Sequence, residues 1–269
     1  MTPRDQDLLA CCGEIYGHPL ARWLLGVSMH PGGLALTEKL ARRLGLGPHT
    51  RVLDLGCGQG ATAVHLARTF GCRVVGLTLE ASGVAAGREM ARQGGVAGLV
   101  EFVQGDWSQA PLREGSFDVV LAECVLSILP DKDAALQHCH SLLEEGGRLG
   151  LSDITMNGPL PPELDSVLAY AGCLGGALAL ERYRHLAEAV GFQVESCQDL
   201  SEVAAGFLRE ISGKLLLAEA AAGLGKLPLD SELLRRAKEV LSALRGAVDK
   251  GVLSYGLLVA HRKAIPDNK

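Results

Sequence analysis

Short β-type runs alternate with helical runs from residue 51 to residue 152, and this alternation constrains the fold more than any other feature. The β-type runs are rich in Val, Leu and Phe, whereas the segments between them carry apolar residues at helical spacing. Parallel strands need crossover connections long enough to contain a helix, and such crossovers place helices on both faces of a sheet. The chain is therefore expected to belong to the α/β class, with strands at Arg51–Leu55, Cys72–Leu79, Val100–Gln104, Phe117–Ala122 and Gly147–Ser152.

The segments that flank this alternation are mostly helical. The tail contains two long helical stretches, Glu202–Ala222 and Ser231–Asp249, and ends in a β-type run, Val252–Ala260. No internal repeat or low-complexity linker divides the chain. We therefore expect three parts packed as one body: an N-terminal helical cap (1–50), a core (51–200), and C-terminal helices with a final strand (201–269).

Composition excludes several classes of protein. The chain has 269 residues, 48% of them hydrophobic, and a formal net charge of -5. This apolar content argues against a disordered chain, and the mild acidity argues against a nucleic-acid-binding protein. We see no membrane-spanning run and no signal peptide, so we expect a cytoplasmic protein. Its 8 cysteines are then expected to be thiols.

A glycine-rich turn follows the first predicted strand, in the run Val52–Gly60 (VLDLGCGQG). Glycines between a strand and a helix allow a sharp turn and the close approach of a ligand to the backbone. The spacing is G-x-G-x-G instead of the dinucleotide pattern G-x-G-x-x-G, and Asp54 precedes the first glycine by two residues. Asp106 and Trp107 follow the third strand, where an acid and an aromatic ring suit an adenine.

These motifs resemble those of the class I S-adenosylmethionine-dependent methyltransferases over roughly residues 50–200. The resemblance implies a seven-stranded Rossmann-like sheet into which the last strand inserts antiparallel. It also implies S-adenosylmethionine as cofactor, Asp54 at its methionine amino end, and Asp106 with Trp107 around its adenine. Thr78 stands where the family usually has an acid for the ribose, and Glu80 is close enough in sequence to assist. The implied cofactor-binding residues are Asp54, Gly56, Cys57, Gly58, Gly60, Thr78, Leu79, Asp106, Trp107 and Glu123.

Two cysteines sharpen the resemblance. Cys124 follows the fourth strand in a C-V-x-x-x-x-P-D-K run, and Cys173 lies in G-C-L-G-G-A-L. Both runs are similar to those of the arsenite methyltransferases, in which cysteines at these places hold trivalent arsenic. The resemblance implies Cys124 and Cys173 as thiolate ligands of a soft metalloid, and thiolates are the ligands that soft centres prefer. The cysteine that this family carries after the glycine loop is absent here, where the chain has Ala61–Val64.

Several alternatives remain open at this point. Cys11 or Cys12 would supply a third thiol to the arsenic, as would an external thiol such as glutathione. The two cysteines would instead be packing residues if the acceptor were a small organic molecule, with Glu123 as polar anchor or general base. A non-catalytic cofactor-binding or metalloid-sensing protein is a further possibility. Each of these predicts a small-molecule or metalloid partner, without a membrane or nucleic acid.

Overall fold

The computed structural model describes residues 23–160, Leu164, residues 174–223 and residues 231–263. Within them, seven strands form a single sheet. In chain order these are β1 (Arg51–Leu55), β2 (Arg73–Thr78), β3 (Val100–Gln104), β4 (Phe117–Glu123), β5 (Leu143–Met156), β6 (Phe192–Asp199) and β7 (Leu253–Arg262). Their order across the sheet is β3-β2-β1-β4-β5-β7-β6. The expected seven-stranded Rossmann-like sheet is confirmed.

Helices cover both faces of this sheet. They are α1 (Gly33–Arg43), α2 (Ala61–Phe70), α3 (Ala81–Gln93), α4 (Lys132–Leu142), α5 (Leu180–Ala189), α6 (Ser201–Gly223) and α7 (Ser231–Asp249). The apolar sides of α1, α2 and α3 pack on one face, and those of α4 and α5 pack on the other. None of the helices in the described part of the chain is both long and apolar enough to cross a membrane.

The fifth strand is longer than its sequence pattern suggests. The prediction was Gly147–Ser152, whereas β5 begins at Leu143, directly after α4, and continues to Met156. The extension at the end of β5 exists because β7 pairs antiparallel with it as far as Met156, opposite Leu253. The extension at its start rests on β4, where Phe117 pairs with Leu143. The pairing with β7 also confirms that the last strand enters the sheet antiparallel.

The strand order creates a crevice at the centre of the sheet. From β1 the chain proceeds outward through β2 to β3, and it then returns to place β4 on the other side of β1. All four strands are parallel. Ligands of open α/β sheets bind outside the carboxyl ends of the strands at such a reversal. The ends of β1 and β4 are therefore where a site is expected.

Candidate active site

The main cleft of the described residues opens at the carboxyl ends of β1, β2 and β4. Counted to its open mouth, it contains about 1320 Å³ of space, part of which is open solvent. Its lining includes His30, Asp54, Gly58, Thr78, Trp107, Glu123 and Cys124.

The three glycines after β1 have different structural roles, although all have positive φ. A side chain on Gly56 would meet Val125 at 2.5 Å, and one on Gly60 would meet the ring of Phe102 at 2.5 Å. A side chain on Gly58 would meet nothing within 4 Å. Gly56 and Gly60 are thus required by packing, whereas Gly58 keeps a stretch of backbone open to the cleft.

Asp54 is a buried carboxyl group at the end of β1, and it lines the cleft. Only 2% of its surface is exposed. Its Oδ2 atom has no hydrogen-bond partner among the described residues, although the backbone N–H of Ala63 donates to the carboxyl group. Burial, and secondly the charge of Glu123, raise the pKa of Asp54 well above its usual range. The site therefore offers a polar atom that a cationic ligand would satisfy.

Three more predicted cofactor residues line the cleft near the glycine loop: Cys57, Thr78 and Leu79. Thr78 ends β2 and is 7% exposed. The thiol of Cys57 is buried beside Gly76, and burial raises its pKa. This Cys57 environment is that of a packing residue, since an inert buried thiol has little thiolate character.

The two residues predicted to bind adenine differ in their position relative to the cleft. Trp107 lines the cleft, with its ring edge-on to His138 at a centroid distance of 6.4 Å. Asp106 is not among the described residues that line the cleft. One oxygen of its carboxylate, Oδ1, accepts from the N–H of Ser108 at 2.8 Å and from the Ser108 hydroxyl at 2.7 Å. Asp106 thus shapes its own turn, and its predicted contact with adenine stays a prediction.

Glu123, the last residue of β4, is buried among hydroxyl groups. The Thr37 hydroxyl donates to both of its oxygens, at 3.1 and 2.9 Å, and the Thr62 hydroxyl donates to Oε2 at 3.0 Å. The Ser152 hydroxyl donates to Oε1 at 3.4 Å. His30 Nε2 lies 3.3 Å from Oε2, and the side chain of Glu123 is only 4% exposed. A carboxylate with so many partners is better suited to shaping the site than to taking a proton from an acceptor.

Cys124 leaves β4 in a left-handed backbone conformation, with a φ of 54°. This conformation is uncommon for residues other than Gly, Asn and Asp, and it is enriched at functional sites. The side chain lines the cleft, and Sγ lies 3.5 Å from the hydroxyl of Tyr255. That hydroxyl donates to Ser152 at 3.0 Å, and Ser152 donates to Glu123. A chain of hydrogen bonds therefore joins the Cys124 thiol to Glu123.

The second predicted arsenic ligand, Cys173, lies outside the described residues, as do Cys11 and Cys12. Across the part of the chain that is described, no three His, Cys, Asp or Glu side chains are grouped to hold a metal ion. Cys124 is therefore the one predicted metalloid ligand whose position can be described.

Sequence reasoning missed most of the polar groups around Glu123 and Cys124. His30 and Thr37 lie in one N-terminal segment, whereas Ser152 and Tyr255 lie on β5 and β7, and none of the four was predicted as a site residue. Thr62 alone had a signal, since it occupies the first turn of α2 directly after the glycine loop. A polar residue there points to the same edge of the sheet as the ends of β1 and β4.

Comparison with protein families gives a match over more than half of the chain. Residues 46–193 match the family model described as a methyltransferase domain. An arsenite methyltransferase of Aquipseudomonas alcaligenes is 39% identical over 208 residues, covering 70% of this chain and 57% of that protein. Methyltransferase GfsG of Streptomyces halstedii is 32% identical over 173 residues, covering 63% of this chain and 62% of that protein. The chain thus spans about three fifths of the length of these relatives.

Solved structures share the fold at lower identity. A geranyl diphosphate C-methyltransferase of Streptomyces coelicolor superposes with a TM-score of 0.73 at 20% identity, covering 97% of this chain and 98% of that one. The [4+2]-cyclase SpnF superposes with a TM-score of 0.67 at 21% identity, covering 96% and 94%. At such identities the likeness extends to the fold alone, and the second example is named as a cyclase.

Proposed function

This chain belongs to the methyltransferase-domain family, and on that premise we propose that it transfers a methyl group from S-adenosylmethionine to trivalent arsenic bound through Cys124. The family membership makes the core an S-adenosylmethionine-dependent methyltransferase domain. The acceptor, and with it the activity of the whole protein, is the proposal. The observation that carries it is the position of Cys124, whose side chain lines the cleft from a left-handed backbone at the end of β4.

The described residues fit the cofactor. Gly58 leaves backbone open where a ligand would approach, and Oδ2 of Asp54 is a buried acceptor without a described partner. Asp54 would hold the amino group of the methionine part. Thr78 and Leu79 would lie along the ribose, and Trp107 would cover the adenine. When bound, S-adenosylmethionine supplies an electrophilic methyl group on a positively charged sulfur.

The residues of the chain would position a soft nucleophile against that methyl group. Trivalent arsenic prefers thiolate ligands, and it keeps a lone pair after binding them. The lone pair would form the new arsenic–carbon bond as the sulfur–carbon bond breaks, and the electrons of that bond would stay on sulfur. Cys124, with its thiol beside the Tyr255 hydroxyl, would fix the arsenic in line with the methyl group, so that catalysis rests on orientation. Cys173, and a third thiol from glutathione or from Cys11 or Cys12, would complete its ligands.

The relatives support this acceptor without deciding it. The arsenite methyltransferase named above is the more similar of the two relatives, at 39% against 32% identity. The hydroxyl groups around Glu123 also weaken the case for that residue as a general base acting directly on an organic acceptor.

A small organic acceptor is the second candidate. The observation that favours it is the apolar part of the cleft lining, which includes Val27, Met29, Val125, Ile128 and Leu129. Apolar walls with a few polar groups are typical of sites for organic ligands. Methyl transfer to organic molecules, with Cys124 as a packing residue, would then be the activity.

The test is methyl transfer from labelled S-adenosylmethionine to arsenite in the presence of glutathione. We expect turnover by the parent and a loss of at least about 100-fold in Cys124→Ser and in Cys173→Ser, since a misplaced acceptor costs about that much. Cys197→Ser is the matched control, because Cys197 lies on β6, away from the described cleft lining. It should retain parental turnover.

The opposite results separate the alternatives. A parent that binds S-adenosylmethionine but leaves arsenite unmethylated contradicts the arsenic proposal and directs the search to organic acceptors. Cofactor binding without turnover on any acceptor would instead favour the non-catalytic alternative.

A further inference from the structure

The charged side chains that line the cleft are mostly acidic. Asp54, Glu80 and Glu123 contribute three carboxyl groups, whereas no Lys or Arg occurs among the described residues of the lining. His30 is the one described residue of the lining whose side chain can carry a positive charge. Even when His30 is counted as an imidazolium ion, the lining remains negative. A cleft of this kind attracts positive charge and repels anions.

Two of these carboxyl groups lie close together at the floor of the cleft. Asp54 on β1 is paired with Leu121 on β4, so Glu123 lies two residues further along the same face of the neighbouring strand. Both side chains are almost fully buried. The charge of Glu123 acts on Asp54, where it contributes, after burial, to the raised pKa of that carboxyl group.

The hydroxyl groups that hold Glu123 do not remove the electric field of its charge. Thr37, Thr62 and Ser152 donate through neutral hydroxyls, which fix the carboxylate in place but bring no positive charge. His30 makes one contact with it, at 3.3 Å. In a buried site of low dielectric constant, such a fixed charge acts over several ångströms without direct contact.

The two forms of the cofactor differ in charge at one atom. S-adenosylmethionine carries a positive sulfur, whereas S-adenosylhomocysteine, which remains after methyl transfer, has a neutral thioether. Both keep the same amino group, so Asp54 would treat them alike. A second fixed negative charge in the cleft would favour the first form alone.

We propose that Glu123 is a specificity-determining residue whose buried charge makes the cleft select the cationic cofactor over its neutral product. The inference rests on the cofactor assigned under the proposed function, but it is independent of the acceptor. It also gives methyl transfer a built-in step of product release, because the reaction removes the charge that the cleft attracts. The same field disfavours anionic acceptors and is compatible with arsenite, which is neutral near pH 7.

The test is calorimetric binding of three ligands in the absence of any acceptor. They are S-adenosylmethionine, S-adenosylhomocysteine and sinefungin, an analogue in which a carbon bearing a protonated amine replaces the sulfonium. In the parent we expect both cationic ligands to bind more tightly than S-adenosylhomocysteine. Glu123→Gln should weaken the binding of the two cationic ligands on the order of tenfold, because one charge at several ångströms in a partly screened site contributes about that much. The affinity for S-adenosylhomocysteine should change by less than about twofold.

Glu80→Gln is the matched control. Glu80 also lines the cleft, but it lies at the start of α3 beside the predicted ribose position, where its carboxylate accepts from Ser82. Loss of the Glu80 carboxylate should weaken the binding of all three ligands by a similar factor. Thermal melting of both variants establishes that they fold.

Two results would overturn the proposal. One is a parent that binds S-adenosylhomocysteine as tightly as both cations, which needs no variant and so decides the matter even if Glu123→Gln does not fold. The other is an equal loss of all three ligands in Glu123→Gln. Failure of arsenite methylation with the charge preference intact would contradict the proposed acceptor only, whereas binding of none of the three ligands would overturn the cofactor and this inference together.

Discussion

The two sides of the cleft are built in different ways. The cofactor side consists of Asp54, the glycine loop and Thr78, and it is shaped largely by backbone within a short stretch of chain. The acceptor side consists of Glu123 and Cys124 with their hydrogen-bond partners, and these partners come from segments far apart in sequence. The first side is a local property of the sequence, whereas the second exists only once the sheet has formed.

The largest effect should come from the glycine loop, where two positions with positive φ differ in their surroundings. Gly60→Ala places a methyl group 2.5 Å from Phe102, whereas Gly58→Ala places one in open space. Strain of about 1–2 kcal/mol applies to both, and overpacking adds about 1–3 kcal/mol to Gly60→Ala alone. We expect Gly60→Ala to lower the free energy of unfolding by about 3 kcal/mol, measured by urea denaturation.

Gly58→Ala serves as the control and carries its own prediction. It should cost only about 1–2 kcal/mol of stability yet weaken cofactor binding, because its methyl group enters the cleft. Equal stabilities for the two variants, or an unchanged cofactor Kd in Gly58→Ala, would mean that the two glycines do not divide packing and binding as described.

The next effect concerns the acceptor side. Tyr255→Phe removes the hydroxyl that lies between Cys124 and Ser152 in a fully buried position. We expect a loss of about 1–2 kcal/mol in the free energy of unfolding, since each net hydrogen bond contributes about 0.5–1.5 kcal/mol. Turnover on arsenite should fall while the Kd of the cofactor stays at the parental value. A weakened cofactor Kd would show that the two sides of the cleft are not separable.

Replacing Asp54 should have a smaller effect on stability, with a size that depends on pH. Because its pKa is raised in the folded protein, the stability it contributes is complete below its unfolded pKa and is lost as pH rises through the folded value. Without cofactor, Asp54→Asn should therefore be more stable than the parent near pH 8, on the order of 1 kcal/mol. The difference should shrink as the pH falls towards 4. A difference that is constant over this range would contradict the assignment.

The last prediction concerns two buried thiols that should not react with an alkylating reagent. Burial raises the pKa of Cys72 to about 11 and that of Cys139 to about 12, and both side chains are almost inaccessible. Brief alkylation with iodoacetamide at pH 8 should label Cys124 and leave these two thiols unmodified, as read by peptide mass spectrometry. Of these three thiols, arsenite should slow the labelling of Cys124 alone. Protection of Cys72 or Cys139 by arsenite would place the metalloid elsewhere.

The same contrast explains how far the sequence could predict this molecule. The glycine loop and the alternation of elements were predictable because each is specified by neighbouring residues. Strands Arg51–Leu55 and Val100–Gln104 have the predicted bounds. The direction of the last strand followed only from the resemblance to the methyltransferases. The full length of β5 was missed because it depends on pairing with β4 and β7, and β7 is distant in sequence.

Within the site, sequence reasoning found residues at the ends of strands but not the groups that hold them. Glu123 was predicted as an anchor or base, and the hydroxyls that donate to it belong to other elements. The partnership of Cys124 with Tyr255 likewise depends on β7 lying beside β5. No local pattern encodes either arrangement.

The left-handed backbone at Cys124 has a consequence for how this position would change over evolutionary time. A cysteine with a φ of 54° is strained, and glycine or asparagine would adopt the same conformation at less cost. Mutational drift therefore favours replacement of the thiol in any lineage that has stopped using it. Retention of cysteine at this position would report that selection on the thiol outweighs the gain in stability.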